Sequence, residues 1–352
     1  MPTLGSMPRR WSVRETLAAT DRLAAAGPRD VREFRAAVVE VLARAVGFDW
    51  FVWVLTDPAT EVGVDPFAVV PDLGQLSQLV RLKYLTSVNR WTQLGAVASL
   101  GVDPERSLLW SAAQRQHGVV DVTSAVFRDG FGCWGFLDLW STRHPPRAEL
   151  DLLSQLVPVL TRGLRRGQSL TFADAAESQP SPPGAAVILL DDELCITGQT
   201  STSRSWLARL LPPTDGSDPV PAAALNVAAQ LLAREAGVDN HPAAARVHLS
   251  HGAWVTLKAA RLEPGGMIAV TLEASTAAER LDLFARSHAL SVRERQLLTI
   301  LAEGADTKKV AAQMFVSEHT VQDHLKSVFR KTGTHNRRTL LSHAVGVKAE
   351  GG

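Results

Sequence analysis

Ser317-Glu318-His319-Thr320-Val321-Gln322-Asp323-His324-Leu325-Lys326-Ser327-Val328-Phe329-Arg330-Lys331 carries two stripes at helical spacing. Val321, Leu325 and Val328 stand at i, i+4 and i+7 and form one apolar face. Thr320, Gln322, Asp323, Lys326 and Arg330 point the other way, with Gln322, Lys326 and Arg330 on one i, i+4, i+8 row. Ser317 suits an N-cap, and Gly333 falls just past the last turn. Upstream, Ser291 followed by Glu294 is a capping box that starts a helix before the apolar Leu297, Leu298 and Leu301. Gly304 stops that helix. Asp306 or Thr307 caps a short second one through Lys308, Val310, Ala311 and Met314, and Phe315-Val316 is the turn. Two helices separated by a tight turn, the second longer and basic, make a helix-turn-helix.

The chemistry of the outward row suits a major groove. Gln322 can bind adenine through two hydrogen bonds, Lys326 can reach guanine acceptors, and Asp323 can accept from a cytosine amino group. Lys309, Ser317, Thr320, Arg330, Lys331 and Arg337 sit at helix ends and flanks, where phosphate contacts are expected. His319, His324, His335 and His343 lack the i, i+4 helical pair with Glu that a zinc protease needs, and no Cys is near, so no metal site is expected.

Leu290–Arg338 resembles the LuxR-type DNA-binding domain. The resemblance rests on Leu290-Ser291-x-Arg293-Glu294, Gly304, Val310-Ala311, Ser317-x-x-Thr320-Val321-x-x-His324 and Arg330-Lys331-x-Gly333. It implies an all-α four-helix unit whose third helix enters the major groove and whose fourth helps dimerise. Position by position, it carries base contacts to Gln322, Asp323 and Lys326, and phosphate contacts to Thr320, Lys309 and Lys331. Asp323 departs from the pattern, where an uncharged or basic residue is usual. That acid leaves the identity of the contacted base open and weakens attraction to DNA. Asp306-Thr307 replaces a common Ser-Asn pair without loss of capping. The resemblance covers about one-seventh of the chain.

The whole chain hides this segment. Its 352 residues carry 37 Lys+Arg against 36 Asp+Glu, a formal charge of +1, which argues against a histone-like tail or a polyacidic disordered chain. Residues 285–345 hold ten Lys/Arg and five Asp/Glu, or +5, and Lys348 cancels Glu350, so residues 1–284 stand at −4. All nine tryptophans precede residue 255. A basic, Trp-free tail behind an acidic, aromatic body predicts separate jobs. Cys133 and Cys195 form no CxxC pair, which excludes a disulfide framework or zinc finger and fits a reducing cytoplasm. No apolar run approaches the ~20 residues of a membrane helix, so a cytoplasmic protein without membrane contact is expected.

The front reads as two α+β modules. The first, 30–170, has a helix at 30–46 capped by Asp30, a buried strand Trp50–Leu55, a helix over 73–94, strands at 119–127 and 132–141, and a helix at 147–167 with Pro158 inside it. The second, 185–275, has strands Ala186–Leu190 and Leu194–Gly198 and helices at 203–211 and 221–236. A hairpin of Ala245–Ser250 and Ala253–Leu262, then a strand through Met267–Leu272, complete it. An N-terminal extension (1–29), a Pro/Ser-rich linker (171–184), a connecting helix (276–288), the helix-turn-helix domain (289–345) and a tail (346–352) fill the chain. The order of elements resembles a GAF domain in the first module and a PAS-like domain in the second. Such modules can hold a small-molecule effector, and Trp50, Trp53, Trp91, Trp110, Trp134 and Trp140 are pocket candidates, with a plain core role as the competing assignment. Cys133 is read as a structural core thiol, and no cofactor is assigned.

No phosphate-binding loop, receiver-type acidic pair, nucleophile elbow or paired-carboxylate framework occurs, so no enzyme is expected. The expectation is a multidomain one-component regulator: sensor modules followed by a domain that binds double-stranded DNA, working as a homodimer with RNA polymerase as a further partner. Leu340, Leu341, Ala344 and Val345 suit either a dimer contact or the domain's own core. A ligand-binding or enzyme-like protein whose tail binds DNA weakly, and a sigma-like polymerase subunit, are the alternatives.

Overall fold

In the computed structural model, described over residues 10–26, 30–72, 74–101, 103–172, 184–210, 221–249 and 253–346, two five-stranded antiparallel sheets precede a set of C-terminal helices. The first half runs α1 (Val13–Ala26), α2 (Val31–Ala43), β1 (Trp50–Thr56), β2 (Gly63–Val69), α3 (Leu76–Leu85), β3 (Val97–Ser99), β4 (Asp121–Asp129), β5 (Gly132–Ser141) and α4 (Arg147–Leu170). The second runs β6 (Ala186–Leu190), β7 (Ile196–Gln199), α5 (Ser203–Leu210), α6 (Ala222–Glu235), β8 (Ala244–His248), β9 (Trp254–Arg261) and β10 (Ile268–Ala274). Then come α7 (Ala277–Ser287), α8 (Val292–Ala302), α9 (Thr307–Met314), α10 (Glu318–Thr332) and α11 (Arg337–Val345). Most of the linker expected at 171–184, and the hairpin tip at residues 250–252, lie outside the described residues.

The sheets are ordered β2-β1-β5-β4-β3 and β7-β6-β10-β9-β8. Counted within each half, both follow the order 2-1-5-4-3. One face of the first sheet packs Phe51, Trp53, Phe127 and Leu137 against α2 and α4. Its other face meets the second half, because Val54, Val126 and Phe136 share one apolar cluster with Ile188, Val255 and Val270. α6 makes that shared core possible. Its sequence Ala-Ala-Ala-Leu-Asn-Val-Ala-Ala-Gln-Leu-Leu-Ala buries eleven residues on all sides, and small side chains let it fit between the sheets. The two modules read separately from sequence therefore share one interior.

Several elements differ from the sequence expectation. β2 holds Pro66, which reads against a strand in the sequence. As an edge strand paired only with β1, it tolerates a residue without an N–H. The helix expected over 73–94 is limited to α3, where Thr86 turns to an extended ψ of 123°. The supposed extension 1–29 contains α1. Ser12 and Glu15 cap it reciprocally, with Ser12 N donating to Glu15 Oε2 at 2.8 Å and Glu15 N to Ser12 Oγ at 3.3 Å.

The tryptophans form core rather than a common pocket wall. Trp53 and Trp134 face α2 and α4. Trp91 stacks on Phe136 at 4.5 Å between ring centroids. Trp110 donates to the Val119 carbonyl at 2.9 Å and clusters with Trp50 and Trp140. Cys133 is fully buried, and burial pushes its thiol up to about 11, which makes it a poor nucleophile at neutral pH.

Candidate nucleic-acid interface

The sequence of caps dictates the C-terminal helices. Ser291 and Glu294 form the capping box of α8, and Asp306 accepts from Lys309 N at 2.8 Å to start α9. Ser317 accepts from Thr320 N at 3.1 Å to start α10, and Asn336 caps α11. The joint between α9 and α10 is three residues, 315–317, and it turns at Phe315, whose φ is 56° and ψ 46°. That left-handed conformation closes α9 and turns the chain into α10.

Val321 and Val328 have no exposed surface and Leu325 only 7%. They pack into one cluster with Leu297, Leu301, Val310 and Met314. Each such side chain contributes roughly 1.5–3 kcal/mol by leaving water. The inward stripe thus fixes the rotation of α10 and leaves Gln322, Asp323, Lys326 and Arg330 exposed. Ser317 and Lys309 are exposed and Thr320 half-buried, with the Ser317 and Thr320 hydroxyls 2.9 Å apart. Asp323 is the local anion: its carboxylate lies 3.4 Å from Lys326 Nζ and 3.6 Å from His319 Nε2.

Two expected phosphate ligands are engaged within the domain. Lys331 Nζ donates to Glu294 Oε2 at 2.6 Å and to the Ala289 carbonyl at 3.1 Å. Arg337 Nη2 donates to the Ala305 carbonyl, joining α11 to the α8–α9 loop. Glu294 is the residue whose wider role the sequence reading missed. It caps α8, accepts from Ser327 Oγ at 2.7 Å and pairs with Lys331, so one carboxylate sets α10 against α8. Burial alone would raise its pKa, but the Lys331, Ser291 and Ser327 hydrogen bonds outweigh that and hold it at about 2. The capping-box spacing was visible; the contacts from α10, more than thirty residues away, left no local signal.

Leu340 and Ala344 of α11 are fully buried in the domain's own core. Leu341 and Val345 are half-buried against the same cluster, and Arg280 of α7 donates to the His343 carbonyl at 3.1 Å. Among the described residues, no group of three or more His, Cys, Asp or Glu could hold a metal ion, and no helix is long and apolar enough to cross a membrane.

Residues 288–344 match the family model of bacterial regulatory proteins, luxR family. Helices α8–α11 are a LuxR-type helix-turn-helix DNA-binding domain. The domain is 40% identical over 53 residues to the monoamine regulon transcriptional regulator of Klebsiella aerogenes, 15% of this chain and 23% of that protein. It is 35% identical over 48 residues to the spore germination protein GerE of Bacillus subtilis, 14% of this chain and 65% of that one. The matched segment thus spans about a quarter of the first of these relatives. The crystal structure of Escherichia coli SdiA aligns over 96% of this chain and 98% of its own at 16% identity, with a TM-score of 0.35, a value too low to imply a shared architecture.

Proposed function

We propose that the chain is a transcriptional regulator in which α10 reads DNA bases in the major groove and the two-sheet body controls that binding. The exposed Gln322–Lys326–Arg330 row, backed by the buried Val321–Leu325–Val328 row, carries this reading. Gln322, Asp323 and Lys326 are assigned to base edges, and Lys309, Ser317, Thr320 and Arg330 to phosphates. Lys331 and Arg337 act as positioning residues that hold α10 and α11 in place.

The 2-1-5-4-3 strand order supports GAF-like and PAS-like identities for the front modules, which would sense a small-molecule effector. A homodimer would place two α10 helices in successive major grooves about 34 Å apart, with RNA polymerase as the downstream partner. The half-buried Leu341 and Val345, packed in the same core as α7, support a coupling between α7 position and α11 availability. The test is selection of bound sites from random duplexes by the purified full chain. An enriched motif whose preference at one base pair relaxes in Gln322→Ala supports the reading. Equal affinity for selected and random duplexes overturns it.

A further inference from the structure

His319 and Asp323 flank the buried Val321 on α10, two residues to either side. At about 100° per residue, each stands about 160° around the helix from that valine. They lie closer to the centre of the outward face than Gln322, which is only about 100° from it. Their side chains are 84% and 56% exposed. His319 is also the second residue of α10, and the first residues of a recognition helix are the ones that meet base edges in a helix-turn-helix.

The two side chains form one donor–acceptor unit. His319 Nε2 and Asp323 Oδ2 stand 3.6 Å apart, too far to hydrogen-bond each other, so neither group is consumed by the other. The carboxylate still favours a proton on the ring nitrogen that faces it, which makes Nε2 a donor. The other carboxylate oxygen, Oδ1, lies 3.4 Å from Lys326 Nζ. Exposed pairs of this kind add little to stability, so stability does not account for an acid at the centre of a face meant for DNA. A base pair does. In the major groove a G·C pair presents guanine O6 as an acceptor beside the cytosine amino group as a donor, the complement of a ring N–H beside a carboxylate. In an A·T pair the amino group lies next to adenine N7, whose lone pair repels a carboxylate; the cytosine amino group has no such neighbour.

We propose that His319 and Asp323 read one G·C pair together, His319 Nε2–H donating to guanine O6 while Asp323 accepts from the cytosine amino group. The inference rests on the reading of α10 as the groove-binding helix. It deepens that reading by naming a base pair and by adding His319 to the residues that set specificity.

The test is selection of bound sites from random duplexes by the purified full chain and by its His319→Ala, Asp323→Ala and doubly substituted forms. Both side chains are exposed, so all three variants should melt near the wild-type temperature. The wild-type motif should hold a G·C pair favoured about tenfold over the alternatives at its position. Each single substitution should flatten that one position, and the double should lose less than the product of the two single losses, as for groups that act as a unit. Lys326→Ala should flatten a different position about two base pairs away, because Lys326 stands about 7.5 Å along α10 from the middle of the pair. Three results would each overturn the proposal while the groove reading stands. These are a motif left intact by His319→Ala, flattening of two separate positions by the two single substitutions, and an A·T pair at the position where they act. Absence of any enriched motif would overturn both.

Discussion

Lys331, near the end of α10, and Glu294, in the first turn of α8, stand 2.6 Å apart, with side-chain exposures of 31% and 5%. Lys331 and Gln322 stand nine residues apart on α10, about 900° of helical rotation and so on opposite faces, and in the proposed function the pair sets how α10 is presented rather than what it touches. Replacing Lys331 with Met leaves a buried carboxylate short of its strongest donor and should destabilise the domain by about 1–3 kcal/mol. Where Lys331 serves as a positioning residue, as proposed, the dependence of DNA affinity on salt should keep its wild-type slope, and a slope lowered by about one unit would instead make it a phosphate contact. Denaturant midpoints and affinities at four salt concentrations check both statements.

Arg330 and Lys309 should behave in the opposite way. Each is exposed on the domain surface, so Arg330→Ala or Lys309→Ala should leave stability within about 0.5 kcal/mol while lowering the log–log salt slope by about one unit. Gln322→Ala should instead lose roughly 1–3 kcal/mol of preference at one base pair. Binding isotherms on the selected site and on a scrambled duplex separate the two classes.

Asp323→Asn tests the acid that departs from the LuxR-type pattern. Its carboxylate accompanies Lys326 and His319 on the exposed face, and in the proposed function it opposes phosphate and competes for the lysine. The neutral variant should bind random duplex DNA several-fold more tightly, with the gain shrinking as salt rises. Unchanged affinity for random duplex would remove Asp323 from the interface.

Much of this domain was legible because its signals are local. Caps, the joint at Phe315 and the two stripes of α10 all fall within a few residues of one another. The front half was legible strand by strand, yet its assembly was not. β2 carries a proline that only an edge position excuses. α1 has only the Ser12–Glu15 cap to announce it in the sequence. Nothing in the alanine-rich run of α6 says that it will be wrapped by both sheets. Long-range pairs such as Lys83–Asp138 and Arg90–Asp239 are fixed by the shared core and have no counterpart in local spacing.

Acid should weaken the C-terminal half in two separate steps. Burial pulls His288 down to about 4, below its usual value near 6.5, so the folded state disfavours its protonation. The stability this gives is complete above about pH 6.5 and is lost as pH falls toward about 4. Glu294, held at about 2 against a usual value near 4.3, gives stability that is complete above about pH 4.3 and lost as pH falls toward 2. His288→Phe should shrink the upper step, to which His343, also lowered by burial, contributes, and Glu294→Gln should shrink the lower one, which Asp282 and Glu279, held low by their hydrogen bonds, share. Denaturation midpoints measured from pH 8 to pH 2.5 distinguish them.

Arg246 of β8 joins the halves of the molecule. Its guanidinium takes Asp57, just past β1, through Nε at 2.7 Å and Nη2 at 2.8 Å, and Asp282 of α7 through Nη1 at 2.9 Å. Asp282 also accepts from Arg286 at 2.9 Å and from Arg295 of α8 at 3.2 Å, so an unbroken line of charge runs from the first sheet to the DNA-binding domain. Asp57 is 1% exposed, and removing it strands a buried arginine. Asp57→Ala should therefore cost about 3–5 kcal/mol. The Asp282 side chain is 29% exposed, so Asp282→Ala should cost less overall, yet it cuts the contact with Arg295. Calorimetry should show the difference in kind: a lowered single transition for Asp57→Ala, and for Asp282→Ala a split in which the C-terminal helices melt apart from the sheets. A single transition in both variants would mean that apolar packing around Phe172, Trp254 and Phe284, not this line of charge, couples the body to the DNA-binding domain.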